Sequence, residues 1–347
     1  MSASSLAPAV SSPFTRAVVN AMRKLYPESL ADKSFDNTGL LLEAPFNPER
    51  RQKNSVLLTV DLTKAVADEA IERRDSIIIA YHPIIFRGLK SLTLQDPQQQ
   101  SLLRLAQEGI SVYSPHTAVD AVPGGMADWL CDIVTGAVTG QSTSSGKNEE
   151  IPSRSYSNPI YPQLKGNNSR STVVIPHTRS TIHPSPAPVP EGFESAGMGR
   201  MVTFASPQLL ASLIDRIGRA AGNPAAISVA VPQSASVDSM QISTVGVCPG
   251  SGAGVLMKGP VLPDLLLTGE LSHHDALAAI ERGSAVIALF HSNTERGYLH
   301  DVLQQKLTDA LREELRAQAD TIEGDEAFSV DVSERDRDPY GIAIRQT

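Results

Sequence analysis

From Asn54 to Pro83 the chain reads NSVLLTVDLTKAVADEAIERRDSIIIAYHP. Two apolar runs, one ending at Asp61 and one at His82, flank a stretch over 63–74 with helical patterning. Strand, helix and strand within about 30 residues make a β-α-β unit. A helix near 98–109 and a third run, ISVYSPHTAVD (Ile110 to Asp120), extend it. The reading is therefore an α/β fold on a mostly parallel sheet.

The same grammar returns after residue 196. Residues 206–221 are patterned as a helix, ISVAVP and QISTVGVCPGSGAG as strands, and LPDLLLTGELSHHDALAAIERG as strand, turn and helix. SAVIALF adds a strand that ends at His291, a last helix is expected over 296–318, and EAFSVDVSERDRDP follows it. No residue-by-residue repeat relates the two halves. Between them the text turns to Ser, Pro, Asn and Gly, with no acid between Glu150 and Glu191 and with Arg154, Lys165, Arg170 and Arg179 as its cations. Such a segment has too little apolar material to offset its ordering entropy, so most of it is expected to be disordered, with STVVIPH as a short strand. The expected organisation is an N-terminal lobe over 14–140, an insertion over 141–195 and a C-terminal lobe over 196–347.

Composition narrows the functional classes. The 347 residues are 41% apolar and carry a net charge of −8, which disfavours general affinity for a nucleic-acid backbone. No apolar run approaches the roughly 18 residues of a membrane span. Cys131 and Cys248 are the only cysteines. Two distant thiols build neither a disulfide framework nor a thiolate zinc site, so a reducing compartment is expected: cytoplasmic, with nucleus and mitochondrion as alternatives. Residues 1–24, with Arg16, Arg23, Lys24 and no acid, have the composition of a mitochondrial transit peptide. The preferred reading is that FTRAVVNAMRKLY is an amphipathic first helix, because Val18, Val19, Met22 and Leu25 lie near helical spacing.

Strand ends carry the chemistry. Ligands of parallel sheets bind outside the carboxyl ends of strands. Those ends here bear Asp61, His82, His116 with Asp120, Glu270 with the His273–His274 pair, and His291 with Glu295. Imidazoles and carboxylates without thiols are ligands for Zn, Mn, Fe, Co or Ni, and an i, i+4 pair such as His291 and Glu295 shares a helix face. Bland readings stand beside this one. A lone histidine is commonly structural, Asp61 could cap the next helix, and His273 or His274 could be a surface residue. The glycine-rich CPGSGAG (Cys248 to Gly254) could cradle a phosphate or merely make a tight turn.

Taken jointly, FDNTGLLL, TVDLT, YHPIIF, SPHTAVDAVPGG, GMGR, PGSG, TGELSHHDAL and HSNTERGYL resemble the family named after the yeast NGG-one-interacting factor three. Its bacterial members are labelled GTP cyclohydrolase type 2 homologs. The motifs occur in family order over residues 14–135 and 196–340, and YHPIIF with the terminal VSERDRDP resembles the eukaryotic branch. The resemblance implies two α/β/α lobes facing each other across a cleft, a homohexamer, and up to two divalent metal ions. Its metal ligands would be His82, Asp120, His291 and Glu295, with His116 beside them as a supporting ligand. Many members carry two consecutive histidines where this chain has Tyr81-His82. A phenol with a pKa near 10 is a poor ligand, which puts full occupancy of the second ion in doubt. The resemblance also favours the helix over the transit peptide.

The expected function is a metal-dependent hydrolase of the GTP cyclohydrolase type 2 kind, acting on a nucleotide or another small phosphorylated heterocycle. A metal with an open position lowers the pKa of bound water to about 7. His116 and His274 are expected to move protons, and Gly250, Ser251 and Gly252 to seat a phosphate. The alternative is a non-enzymatic regulatory protein, a transcription-complex partner that docks through 141–195 and whose metal is structural.

Overall fold

The structure, a computed structural model, describes residues 10–48, 52–137, 174–222, 224, 226–317, 327–341 and 343. The described chain divides into two compact units. The first takes residues up to Ala118 together with Val302–Asp336, and the second takes Val119–Asp301 with residues from Arg337 onward.

In the first unit, helix α1 (Pro13–Leu25) opens the chain, with Ser12 as its cap and Pro13 in its first turn. Pro there gives up an N–H that would have no helical partner. Five strands form the sheet: β1 (Gly39–Leu42), β2 (Ser55–Thr59), β3 (Ile77–Ala80), β4 (Ser111–Ser114) and β11 (Ser329–Val332). Their spatial order is β1-β4-β3-β2-β11. All pairs are parallel except β1 with β4. Every residue of β2, β3 and β4 is buried, as expected for parallel strands covered on both faces. Helices α2 (Lys64–Arg73) and α3 (Pro97–Glu108) are the crossovers. Leu57, Val66, Ala70, Ile78, Leu105 and Val112 are the heart of the core between sheet and helices. The expected β-α-β reading is thus realised within two or three residues at each boundary as far as β4, but the third run, expected to end at Asp120, stops at Ser114, and Asp120 lies instead in the short helix α4 (Thr117–Ala121).

Residues 302–336, grouped with the second lobe in the sequence reading, belong to the first unit. Helix α10 (Gln304–Ala317) packs on α1, and β11 adds parallel to the edge of β2. The buried carboxylate of Glu69 then accepts from the Ser333 hydroxyl and from the amides of Glu334 and Arg335.

The second unit is a six-stranded sheet in the order β5-β6-β8-β9-β10-β7. Its strands are β5 (His177–Pro184), β6 (Gly197–Leu209), β7 (Ser228–Ala230), β8 (Gln241–Ser251), β9 (Leu265–Glu270) and β10 (Ala285–Ala288). The β8-β9-β10 core is parallel, while the β5-β6, β6-β8 and β7-β10 pairs are antiparallel. Helices α5 (Met126–Thr135), α6 (Leu210–Ala220), α7 (Ala253–Leu256) and α8 (His273–Glu281) belong to it.

Four expectations change. Residues 138–173, most of the expected insertion, lie outside the described residues, but from residue 174 the chain is ordered. His177–Pro184 pairs with β6 through seven registered positions, and the Arg179 guanidinium is held by Asp128 and Asp132. The expected strand STVVIPH begins instead at His177, its first residues lying outside the description. The helix expected from 206 starts at Leu210, because Gln208 and Leu209 still pair with β8. The helix expected over 296–318 is a single turn, α9 (Arg296–Tyr298), then a π-helical turn Leu299–Leu303, then α10.

Arg200 pins this unit together. It is 3% exposed. Its guanidinium donates to the carbonyls of Gly197, Gly199, Ala121 and Val122 and to the Asp128 carboxylate, at 2.7–3.2 Å. Arg200→Leu would remove all five of these bonds, although Asp128 keeps Arg179 and the Gly124 amide and Val122 keeps the Gly125 amide, and is expected to destabilise by about 3 kcal/mol in urea unfolding. Arg219→Leu, which breaks an exposed pair with Asp215, should change stability by about 0.5 kcal/mol or less.

Candidate metal centre

Three histidines share one arrangement. His82, two residues beyond β3, places Nδ1 2.8 Å from Asp61 Oδ1. His116, just after β4, places Nδ1 2.7 Å from Asp36 Oδ1. His291, three residues beyond β10, places Nδ1 2.8 Å from Glu270 Oε1. An ionised carboxylate only accepts hydrogen bonds, so each Nδ1 carries a proton, and in the neutral ring Nε2 keeps the lone pair. Histidines that bind metals are held in this way by a second group behind the ring. Asp61 is therefore occupied with His82, and the cap of α2 is Thr63, whose hydroxyl accepts from the Val66 amide.

In the first unit the rings of Tyr81, His82 and His116 lie together, with centroids 4.9, 5.4 and 5.6 Å apart. Tyr81 is buried at the position where the resemblance places a second histidine. The Asp36 side chain is fully buried behind His116. Burial pushes its carboxyl up, but hydrogen bonds from His116 and Thr117 outweigh that and hold it below its ordinary value. The backbone is strained here: His116 has φ 34°. Such conformations cost on the order of 1–3 kcal/mol and cluster at functional positions.

The second unit gathers carboxylates around the end of β8. Burial pushes the Cys248 thiol far up, and the negative charges of Asp120, Glu295 and Glu270 push it further. Its S–H points to the Pro249 carbonyl at 3.5 Å. Glu295 is 1% exposed, and its Oε1 lies 3.4 Å from His291 Nε2. A nitrogen lone pair and a carboxylate oxygen at that distance repel unless a proton or a metal cation lies between them. The expected helix face is not what joins this pair. Ser292–Thr294 form a 3₁₀ turn, and Phe290, at φ 67°, sets its entry.

The glycine motifs serve this geometry. Gly250 has φ 58°, and a Cβ there would stand 2.9 Å from His291 Nε2 and 3.0 Å from Glu295 Oε1. A Cβ on Gly269 would stand 2.6 Å from the Gly250 carbonyl oxygen. The Gly250 amide donates to Thr294 Oγ1 at 2.8 Å, its carbonyl accepts from the Thr268 hydroxyl at 2.9 Å, and the Gly252 amide donates to the Glu270 carbonyl at 3.4 Å. Two of the amides that a phosphate would need are thus engaged within the protein, while Ser251 is exposed. His274 is exposed in the first turn of α8, its ring 5.3 Å from that of His273. It is not among the groups gathered around Cys248. Sequence reasoning missed Asp36 and the backing roles of Asp61 and Glu270. The usable signal was an acid at each neighbouring strand end or motif.

Fold and site together define an α/β protein with two sheets whose strand ends bear carboxylate-backed imidazoles. The chain belongs to the family described as Duf34/NIF3 (NGG1p interacting factor 3), which it matches over residues 14–326. That bears out the family read from the motifs. It is 44% identical over 294 residues to Protein NIF3 homolog of Schizosaccharomyces pombe, covering 84% of this chain and 88% of that one. It is 34% identical over 331 residues to NGG1-interacting factor 3 of Saccharomyces cerevisiae, covering 94% and 96%. The human NIF3-like protein 1 is 31% identical over 369 residues, covering 94% and 92%. Among solved structures, a Bacillus cereus protein related to NIF3 superposes with a TM-score of 0.63 at 18% identity, covering 94% of this chain and 98% of that one. Reduced HcgD from Methanocaldococcus jannaschii gives 0.56 at 16%, covering 94% and 100%. Likeness at that identity shows the shared fold. Among the described residues, no helix is long and apolar enough to cross a membrane.

Gly250→Ala is expected to cost about 1–2 kcal/mol in urea unfolding, because φ is positive and the Cβ is crowded. Gly254→Ala, whose Cβ meets nothing within 4 Å, should be neutral or slightly stabilising. Asp36, with its carboxyl depressed in the fold, contributes stability that is present above the unfolded pKa, about 4. That contribution is lost as pH falls through the lower folded value. The stability gap between wild type and Asp36→Asn, expected near 2 kcal/mol at neutral pH, should therefore shrink on acidification below pH ~4.

Proposed function

We propose that this chain binds divalent metal through His82, Asp120, His291 and Glu295, and that it is a metal-dependent hydrolase of a small phosphorylated heterocycle. The observation that carries the reading is the carboxylate behind each imidazole, which fixes the tautomer with Nε2 as the ligand atom. His82, Asp120, His291 and Glu295 would supply imidazole nitrogens and carboxylate oxygens, a donor set suited to Zn, Mn, Fe, Co or Ni. The 3.4 Å approach of His291 Nε2 to Glu295 Oε1 fits a cation shared between them.

Metal held by these residues would supply Lewis acidity toward a phosphoryl group or a ring carbon. The chain's own groups do the rest. His116, with Nδ1–H fixed by Asp36, takes or gives a proton at Nε2. Gly250 keeps the space beside His291 and Glu295 clear of side chain. Tyr81, buried against His82, offers no imidazole, so this reading expects one firmly held ion and a second that exchanges.

The name of the yeast relative, NGG1-interacting factor 3, speaks of a protein partner for that protein. A partner-binding role for this chain is the second reading, and under it metal would be structural.

Elemental analysis of the dialysed native protein should find at least about one equivalent of divalent metal per chain. His291→Ala and Glu295→Ala should lose most of it without unfolding. Metal content that is unchanged in both variants, or absent from the native protein, would overturn the proposal. Metal without turnover of any purine nucleotide would leave the second reading in possession.

A further inference from the structure

Two aromatic rings stand out in solvent beside His116. Phe35 is 52% exposed and Phe86 is 44% exposed. Their centroids are 6.3 Å apart, and they lie 6.4 and 6.3 Å from the His116 ring, edge-on to it. Scattered exposed apolar residues are ordinary. Two phenyl rings around one carboxylate-backed imidazole call for a different account.

The flanking chain spends its polar groups on the scaffold. Asp36 holds His116 and Thr117, the Asn37 amide donates to the Ile85 carbonyl, and Lys33 donates to Thr38. The bond from Asn37 ties the loop bearing Phe35 to the residue before Phe86. The phenyl rings are what the two segments present outward. Arg87 and Lys90 follow Phe86 on the same exposed stretch. Neither has a hydrogen-bond or ion-pair partner among the described residues. Two unpaired cations beside an aromatic pair, in a chain of net charge −8, are complementary to a ligand that joins a flat ring to an anion.

We propose that Phe35 and Phe86 form a stacking ledge for the base of a nucleotide, with Arg87 and Lys90 meeting its phosphates. This rests on the hydrolase reading above for its location and adds the means of substrate recognition. Stacking on an aromatic face tolerates any base, because every base has a π-face. The ledge therefore selects for a nucleotide without choosing among purines.

The test is calorimetric binding of GTP, ATP, guanosine and tripolyphosphate to the full-length, metal-loaded protein. Phe86→Ala and Phe35→Ala should each weaken GTP, ATP and guanosine about tenfold and leave tripolyphosphate unchanged. Arg87→Glu combined with Lys90→Glu should weaken GTP and tripolyphosphate and spare guanosine. Metal content should match wild type in every variant. No binding of GTP to wild type, or binding indifferent to both phenylalanines, overturns the ledge. So does a change of oligomeric state in its place, since Leu89, Leu92 and Leu94 are exposed on the same loop and a second copy of the chain would then be the occupant. Phenylalanine-dependent binding by a protein that holds no metal would sink the hydrolase reading and leave the ledge standing.

Discussion

A carboxylate bonded to Nδ1 of an imidazole is the interaction on which the rest of this molecule turns. It occurs at His82, His116 and His291, each at or just past a strand end. A ring held from behind by an acceptor has, when neutral, one tautomer and little rotational freedom, and its outward nitrogen is presented in a fixed direction. Parallel strands make this arrangement cheap, because the side chain leaving one strand end lies beside those of its neighbours. Asp61 and His82 follow adjacent strands β2 and β3, while Glu270 ends β9 and His291 follows its neighbour β10.

Holding such groups in place costs the backbone something. His116 and Phe290 sit at positive φ, where only glycine is comfortable. Each is over-determined by its surroundings: His116 by Asp36, and the turn after Phe290 by Thr294, whose hydroxyl donates to the His291 carbonyl at 2.6 Å. Arg200 does the equivalent for the segment that follows Asp120. By binding the Ala121 and Val122 carbonyls it fixes that chain against β6, and Asp120 is carried with it. The GMGR motif thus has a structural purpose that its composition did not declare.

How much of this was legible in the sequence depends on the range of the interaction. NSVLLTVDLT and SIIIAYHP declared strands because a fully buried parallel strand must be apolar throughout. The return of β11 to β2 was not legible, since SVDV gives no sign of which sheet edge it will join. Nor was the order of residues 174–195. HPSPAPVP reads as unstructured, yet its first two residues, His183 and Pro184, close β5, which pairs antiparallel with β6, the next strand in the chain. Within the site, the histidines stood out as polar punctuation after apolar runs. Asp36 did not, because in FDNTG an aspartate reads first as turn chemistry. Gly250 and Gly252 were read as anion-binding glycines, whereas their amides are largely spent on Thr294 and Glu270. The need there is for a missing Cβ beside His291 and Glu295.

X-ray absorption at the metal edge of the native protein addresses the claim that imidazole and carboxylate alone hold the ion. The account predicts a first shell of nitrogen and oxygen, with the outer-shell scattering of coordinated imidazole and no sulfur. A metal–sulfur distance near 2.3 Å, which would make Cys248 a ligand in spite of its burial among three carboxylates, would contradict it.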